Sequence, residues 1–442
     1  MKNNSVGSQR IARLFDAGTF VELGAYRKRP DGAATGAVCG YGAVNGRLVY
    51  AFSQDSDRQK GAFDILQAEK IADLYSLALK NGAPVVGIFD SAGAYVADGA
   101  SALSAFGKFL ASVSRASGAI PQIALIGGTC AGLAATAAAM FDLTVLIDGK
   151  SQLFVNAPFV VGKEVGTAEF VRAKGLSSVT VAEENEAFAA LRTILDLLPA
   201  SAEEGVTAAD SADDVNRAVS SADVAELADT GSLLEIGAGY ADEMRVYLAR
   251  MGGVPCGVVA NNGAITAEGA KKTARFVGFC DSFGLPIVTL TDSVGVAVSS
   301  AEEGSPLAAA LGKLAMTYAN ATAAKITAVI GKAYGAAFTL MGSKALGADV
   351  VYALPTAEIS AMAPEAAVAF LWNDQITETT TRETLVSRWK AECASPEAAA
   401  ADGSIDDVID PSELRQRICA AVYMLLEKSN GEPARLHSNL PL

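Results

Sequence analysis

Two short glycine-containing segments have the residue types that could hold negative charge on an oxygen atom. Each lies between an apolar run and an alanine-rich run: GGTCAGLA at residues 127–134 and GKAYGAA at residues 331–337. A turn at the start of a helix leaves backbone N–H groups without intrahelical partners. Small side chains allow a ligand oxygen to reach those donors, as in an oxyanion hole. Tight packing of a strand on a helix also requires glycine, so oxyanion chemistry is one of two interpretations.

The composition argues against several other kinds of chemistry. The 442 residues include one histidine, His437, so we expect neither a histidine base nor a histidine metal ligand. The six cysteines are scattered without a C-x-x-C pair, which predicts buried apolar side chains and no bound metal. With 35 basic and 49 acidic residues the formal charge is −14, which disfavours nucleic acid or anionic membranes as general partners.

Residues 116–141 carry no charge and are long enough to cross a membrane. Pro121 and several glycine, glutamine and threonine residues interrupt this stretch, however. We therefore interpret it as protein core, with a buried strand at 123–126, a glycine turn, and a buried helix at 133–141.

The chain repeats itself, which is the strongest indication of its domain organisation. Four segments of the first half recur in the same order in the second half: FDAGTFVELG as ADTGSLLEIG, GAPVV as GLPIV, DSAG as DSVG, and IALIGGTCAG as ITAVIGKAYG. Colinear repeats of this kind indicate two copies of one structural unit. They predict two domains, residues 1–224 and 225–442, with a polar linker over residues 199–224.

Strands and helices alternate in each half, as judged from apolar periodicity and turn residues. Predicted helices cover residues 65–80, 102–116, 270–283 and 307–323, and predicted strands cover 85–89, 123–126, 287–291 and 326–330. Hairpins are expected earlier in each half, around Asn45-Gly46 and Gly252-Gly253. The alternation predicts an α/β fold whose sheets are mostly parallel and built from βαβ units. Asp90 and Asp292 end predicted strands, where they cap the following turn or, alternatively, act in acid–base chemistry.

Several long motifs resemble the carboxyltransferase subunits of biotin-dependent acyl-CoA carboxylases and decarboxylases, the propionyl-CoA carboxylase beta type. The resemblance covers residues 11–372, and its most specific stretches are DSAGAYVADG at 90–99, SGAIPQIALIGGTCAG at 117–132, SQLFVNAP at 151–158, GFCDSFGLPIVTLTD at 278–292, KAYGAAFTLMGSKALGAD at 332–349 and PTAEISAM at 355–362. The resemblance implies two tandem crotonase-like (ClpP/crotonase) domains, the first serving acyl-CoA and the second biotin.

The resemblance also implies roles for individual residues. The oxyanion hole for the thioester oxygen maps onto Gly132 and Leu133, and that for the ureido oxygen of biotin maps onto Ala336 and Ala337. The remaining implied contacts are Tyr334, Gly335 and Gly295 on the biotin side, and Ala92 and Gly93 on the acyl-CoA side. Apart from the resemblance, Arg58 and Lys60 follow the predicted strand that ends near Gln54 and are candidates to bind the phosphates of CoA. Ordinary solvated side chains are the alternative for Arg58 and Lys60. Leu133 and Thr339 depart from the usual family pattern.

The implied activity moves a carboxyl group between biotin on a separate carrier protein and the α-carbon of a short acyl-CoA. The implied partners are biotin carboxyl carrier protein, biotin carboxylase or membrane decarboxylase subunits, and further copies of the chain, as a dimer or a trimer of dimers. The implied location is the cytoplasm, with membrane association through partners. Three alternatives remain: decarboxylation at the same site coupled to a sodium pump, a biotin-independent crotonase-type enzyme using Glu164 or Asp142 as base, and an inactive scaffold subunit.

Overall fold

The computed structural model describes residues 5–29, 32, 35–211 and 213–428. The chain divides into two compact units. The first comprises Met1–Gly205 and Ile236–Tyr240, and the second comprises Val206–Glu235 and Ala241–Leu442. The first division follows Gly205, inside the stretch that the sequence analysis treats as a linker. The boundary at residue 224 and the separate roles of the two halves stay predictions. His437 lies outside the described residues.

The first unit contains eight strands and seven helices among its described residues. The strands are β1 (Val21–Leu23), β2 (Ala37–Val44), β3 (Arg47–Gln54), β4 (Val85–Ser91), β5 (Gln122–Ala131), β6 (Leu143–Ile147), β7 (Gln152–Phe154) and β8 (Val179–Val181). The helices are α1 (Val6–Leu14), α2 (Ile65–Asn81), α3 (Ala100–Ala116), α4 (Leu133–Ala139), α5 (Pro158–Val161), α6 (Ala168–Ala173) and α7 (Glu184–Asp196).

The second unit repeats the pattern and adds C-terminal helices. Its strands are β10 (Met244–Met251), β11 (Val254–Asn261), β12 (Ile287–Ser293), β13 (Lys325–Tyr334), β14 (Val350–Ala353), β15 (Glu358–Ser360) and β16 (Asp407–Val408), and β9 (Leu234–Ile236) joins the same sheet. Its helices are α8 (Val224–Leu227), α9 (Ala267–Ser282), α10 (Ser300–Gly304), α11 (Leu307–Asn320), α12 (Ala336–Leu340), α13 (Pro364–Leu371), α14 (Arg382–Cys393), α15 (Pro396–Ala401) and α16 (Leu414–Met424).

The two sheets share one topology. The first follows the order β1-β2-β3-β4-β5-β6-β8 and the second the order β16-β14-β13-β12-β11-β10-β9. An antiparallel hairpin opens each (β2–β3 and β10–β11), and parallel pairs follow. In the first hairpin Asn45 and Gly46 both have positive φ, 49° and 76°, as a tight Asn-Gly turn requires. The predicted hairpins and the mixed α/β fold with mostly parallel sheets are confirmed.

Two predicted strands were too short, and this changes the position of the functional turn. Strands β5 and β13 continue through the glycines at 127–128 and 331, which the sequence analysis had placed in the turn. The extra residues remain extended because they pair with a further short strand, Thr129 with Gln152 in β7 and Lys332 with Glu358 in β15. Within these two segments the chain therefore turns sharply at Gly132 and at Gly335.

The uncharged stretch at 116–141 is core, as predicted. Ala124, Ile126 and Phe141 are buried in the same core cluster as Phe52 and Phe89, whose ring centroids lie 5.5 Å apart. Over the described residues, none of the helices combines the length and apolar character needed to span a bilayer. The prediction of buried cysteines is confirmed for five of the six, Cys393 being exposed.

Each unit buries one arginine that pairs with acidic side chains. In the first, Arg10 Nε lies 3.0 Å from Glu184, which also pairs with Lys150 at 3.2 Å. In the second, Arg415 Nη2 lies 2.6 Å from Asp229. Burial alone raises the pKa of Glu184 and of Asp229, but the arginine hydrogen bonds and other polar partners outweigh it, so that each pKa is lowered. Both carboxylates are therefore ionised in the folded protein at neutral pH.

The lowered pKa values predict how stability responds to acid. A carboxyl whose pKa is lower in the folded than in the unfolded chain adds stability above its unfolded value, about 4, and loses it as the pH falls through the folded value. We expect the melting temperature to vary little from pH 7 to pH 5 and to fall below about pH 4, as measured by circular dichroism. The control is Asp229→Asn, which should be less stable at pH 7 and lose less on acidification. An unchanged acid response in that variant would contradict the prediction.

Candidate active site

Each unit contains one sharp backbone turn where the chain leaves a parallel strand and enters a helix. Gly132 has φ 61° and ψ −127°, and Gly335 has φ 55° and ψ −132°, a combination that side chains of L-residues disfavour. The N–H of Gly132 donates to the carbonyl of Phe154 at 2.9 Å, and that of Gly335 donates to Ser360 at 2.8 Å. Both turns are therefore fixed by the same conformation and by a short neighbouring strand.

The residues after each glycine present backbone donors. Leu133 begins α4 and Ala336 begins α12, and no side chain caps either helix. The N–H groups in a first helical turn have no intrahelical acceptor. The side chains of Leu133 and Ala336 are exposed, whereas those of Ala134 and Ala337 are buried. The turns thus combine oriented N–H groups with surface access, which is the geometry that an anionic oxygen requires.

Asp90 and Asp292 brace the strands that lead to the two turns. Asp90 Oδ1 accepts the N–H of Thr129 at 3.2 Å, and Asp292 Oδ1 accepts the N–H of Lys332 at 2.8 Å. The prediction that these carboxylates cap the turn following their own strand is therefore wrong. They bind the adjacent strand instead, because the extension of β5 and β13 brings its backbone beside them.

Glycine serves two purposes in these segments. A Cβ atom added at Gly128 would lie 2.4 Å from Oδ1 of Asp90, and one added at Gly331 would lie 2.4 Å from Oδ1 of Asp292. These two glycines allow the carboxylates to approach, which is the packing interpretation of the sequence. Gly132 and Gly335 are instead required by backbone conformation at the turns.

A second loop lies alongside each turn. Ser91 and Ser293 accept the N–H of the glycine two residues later, each at 3.2 Å. A Cβ on Gly93 would lie 3.5 Å from the carbonyl of Ala131, and one on Gly295 would lie 3.7 Å from that of Tyr334. The structure therefore brings Ala92 and Gly93 beside the first turn and Gly295 beside the second.

Of the two predicted cations, Lys60 is the better placed. Its carbonyl accepts the N–H of Ala92 at 3.0 Å, its side chain is exposed, and its backbone is left-handed, with φ 54°. Strained conformations of this kind concentrate at functional sites. Arg58 is instead paired with Asp55 at 3.3 Å and donates to the carbonyl of Thr35 at 3.3 Å. The structure thus brings Lys60, but not the charge of Arg58, to the first turn.

Arg10 supports the first turn and was missed by the sequence analysis. Its guanidinium donates to Asp90 at 2.8 Å, to the carbonyl of Gly127 at 2.6 Å and to Glu184 at 3.0 Å. These partners lie far from Arg10 along the chain, so no local pattern indicates them.

Tyr334 directly precedes the second turn, and its hydroxyl is engaged by a neighbouring carboxylate. Its side chain is buried and its hydroxyl donates to the carboxylate of Glu358. Burial raises the pKa of Tyr334 well above its ordinary value, and the neighbouring carboxylate raises it further. The phenol therefore stays protonated at neutral pH.

The chain thus contains two copies of one α/β unit, and each copy has a glycine turn that presents backbone donors. This arrangement is that of an enzyme with a duplicated fold. It belongs to the carboxyl transferase domain family, whose profile matches residues 1–440. It is 32% identical to methylmalonyl-CoA decarboxylase subunit alpha of Veillonella parvula, over 98% of this chain and 92% of that one. It is 34% identical to the propionyl-CoA carboxylase beta chain of Saccharopolyspora erythraea, over 100% and 91%.

A solved structure confirms the fold class. Transcarboxylase 12S, described as a hexamer assembly with methylmalonyl-CoA and methylmalonic acid bound, is 32% identical to this chain. The two superpose with a TM-score of 0.93, over 99% of this chain and 92% of that one. The predicted pair of crotonase-like units with mostly parallel sheets is therefore confirmed.

Proposed function

We propose that this chain is the carboxyltransferase subunit that moves a carboxyl group between biotin on a separate carrier protein and the α-carbon of a short acyl-CoA. The observation that carries the proposal is the pair of equivalent turns at Gly132 and Gly335. The reaction places negative charge on two oxygens in succession, the thioester oxygen and the ureido oxygen of biotin. Backbone donors suit both charges, and no histidine is needed.

Each turn has a separate task in this proposal. The N–H of Leu133, oriented by the turn at Gly132, holds the thioester oxygen while the α-carbon carries negative charge. Gly132 contributes its backbone conformation, since its own N–H is bound to the carbonyl of Phe154. Those at Ala336 and Ala337 hold the ureido oxygen, with Gly335, Tyr334 and Gly295 forming the surrounding wall. Removing one such donor typically costs about 3 kcal/mol of transition-state stabilisation. Ala92, Gly93 and Lys60 lie beside the first turn and contact the acyl-CoA. Arg58 is paired with Asp55 and takes no part in this contact.

The site is completed by other chains in this proposal. The first unit of one copy works with the second unit of another, in a homodimer or a trimer of dimers, and a biotin carboxyl carrier protein delivers the biotin. The hexamer assembly described for transcarboxylase 12S supports this arrangement. The remaining subunits set the direction of transfer. Biotin carboxylase completes a cytoplasmic complex that carboxylates the acyl-CoA, whereas membrane decarboxylase subunits complete a membrane-associated complex in which decarboxylation is coupled to a sodium pump.

The test uses the full chain with free biotin or a biotinylated carrier domain. Malonyl-CoA, methylmalonyl-CoA and glutaconyl-CoA are supplied in turn, and the acyl-CoA products are separated by chromatography. We expect decarboxylation of at least one of them, and we expect it to require biotin. Failure with all three substrates would overturn the proposal and favour a scaffold role.

Biotin-independent hydration of an enoyl-CoA would instead favour a crotonase-type enzyme. That alternative needs a carboxylate base beside a turn. Asp142 accepts the N–H of Gln122 at 2.8 Å, at the opposite end of β5 from Gly132, and Glu164 is an exposed residue. The position of Asp142 therefore does not support a base at the first turn.

Lys60→Asn tests the contact with the acyl-CoA. Asparagine tolerates the left-handed backbone at this position, so the change removes the positive charge without adding strain. Loss of one phosphate contact should raise the KM for methylmalonyl-CoA about fivefold, with kcat nearly unchanged. Lys108→Gln, on the exposed face of α3, is the matched control. Equal KM values for the Lys60 variant and the wild type would remove Lys60 from the site.

A further inference from the structure

The second turn rests on strand β15. The carbonyl of Ser360 accepts the N–H of Gly335 at 2.8 Å, and the carboxylate of Glu358 accepts the hydroxyl of Tyr334. Residues 358–360 pair in register with residues 332–334 at the end of β13. The position of this three-residue strand therefore sets the position of the turn.

Helix α14 holds β15 through two consecutive side chains. Trp389 Nε1 donates to Oγ of Ser360 at 3.2 Å, and Lys390 Nζ lies 2.7 Å from Oε1 of Glu358. Trp389 is itself packed edge to face against Trp372, with ring centroids 5.0 Å apart. Both ends of β15 are thus tied to one helix, and a continuous chain of contacts runs from Lys390 through Glu358 to Tyr334.

The first turn is supported differently. Strand β7 takes the place of β15, with Gln152 at the position of Glu358, and Ala131 stands where the second unit has Tyr334. No phenol–carboxylate bond can form there, because alanine has no hydroxyl group. The first turn is braced by the buried guanidinium of Arg10. The contacts of α14 therefore belong to the half of the repeat that we assign to biotin.

The protonation states of Lys390, Glu358 and Tyr334 are suited to a rigid support. Burial raises the pKa of Glu358, but hydrogen bonds from Lys390 and Tyr334 outweigh it, and the pKa is lowered. Glu358 is therefore ionised at neutral pH and Tyr334 is a neutral donor. Hydrogen bonds to a charged partner are stronger than neutral ones, which favours a single geometry.

We propose that Lys390 and Trp389 are positioning residues of the second turn. By fixing β15, which binds the N–H of Gly335, they keep the backbone donors of Ala336 and Ala337 aimed at one point, without contacting the bound biotin themselves. The inference rests on the proposed function, since it names the support of that site. Loosening the support should lower kcat/KM for biotin and leave the KM for the acyl-CoA unchanged.

The test compares Lys390→Met, Lys390→Arg and Trp389→Phe in the full chain. The assay is the decarboxylation of methylmalonyl-CoA with free biotin. For Lys390→Met we expect kcat/KM for biotin to fall about tenfold while KM for methylmalonyl-CoA changes less than twofold. Lys390→Arg should restore most of the loss, and Trp389→Phe should give a smaller one. Lys271→Met, which removes a surface pair with Glu268 at 2.8 Å in the same unit, is the matched control.

Amide hydrogen exchange tests the inference independently of activity. If the wild-type chain is inactive with biotin, that result overturns the proposed function, and the exchange measurement still decides whether Lys390 positions the second turn. In Lys390→Met the amides of residues 332–337 should exchange about tenfold faster, and those of 128–133 should not change. Unchanged exchange at residues 332–337 would overturn the inference. A uniform increase across the second unit would also overturn it, because that result indicates general destabilisation.

Discussion

Replacing Gly335 by alanine should lower kcat for biotin-dependent decarboxylation about 100-fold, the usual cost of losing one oxyanion donor. The backbone at this position, with φ 55° and ψ −132°, is outside the region that alanine favours. The added Cβ would also lie 3.2 Å from the carbonyl of Ala361. The chain must therefore rotate at the turn, which moves the N–H groups of Ala336 and Ala337 away from a common target. Steady-state kinetics and the melting temperature are measured together.

Gly278→Ala is the control for this prediction. Gly278 lies in the interior of α9, and the nearest atom to an added Cβ is Cγ2 of Thr317 at 3.8 Å. This change should leave kcat unaltered and slightly stabilise the helix. Wild-type kcat in a folded Gly335→Ala variant would show that the second turn is not part of the active site. Gly132→Ala should impair the reaction at the acyl-CoA side for the same backbone reason.

Arg415→Met should destabilise the second unit by about 3–5 kcal/mol. Arg415 is 0% exposed, and its guanidinium binds both the carboxylate of Asp229 and the carbonyl of Leu227. Asp229 also accepts the N–H of Gly252 at 3.0 Å and of Gly253 at 2.6 Å, so it holds the β10–β11 hairpin. Methionine fills much of the volume but leaves a buried carboxylate without its cation. We expect the unit to melt about 10 °C lower in calorimetry.

Arg417→Met separates the effect of burial from that of charge. Arg417 lies on the same helix as Arg415 and pairs with Asp407 at 2.8 Å, but its side chain is 41% exposed. An exposed ion pair of this kind contributes about 0–1 kcal/mol. Asp229→Asn combined with Arg415→Met should recover part of the lost stability, because no buried charge then remains. Equal losses in the Arg415 and Arg417 variants would contradict the assigned role of Arg415.

Several elements could be predicted from the sequence because their causes are local. The helix at 65–80 is observed as Ile65–Asn81, since its apolar spacing, the Asp64 cap and Gly82 at its end all lie within one segment. The Asn45-Gly46 hairpin is fixed by the backbone preferences of its own two residues. The likeness of the two halves placed the second turn at the same point of the unit as the first.

The extension of β5 and β13 could not be predicted, and the aspartate contacts depend on it. Gly127 and Gly128 suggest a turn when only neighbouring residues are considered, but pairing of Thr129 with Gln152 keeps them extended. Hydrogen bonds to a strand that follows later in the chain therefore override local preference. The carboxylates of Asp90 and Asp292 then meet this extended backbone.

By itself the sequence determined the duplication, the alternation of strands and helices, and the two glycine-containing segments in which the chain turns. Only the tertiary structure decided what supports each turn, with Arg10 in the first unit and Lys390 and Trp389 in the second. The physical reason is the range of the interactions. Backbone conformation and apolar periodicity depend on adjacent residues, whereas an ion pair or a strand pairing joins residues that only the folded chain brings together.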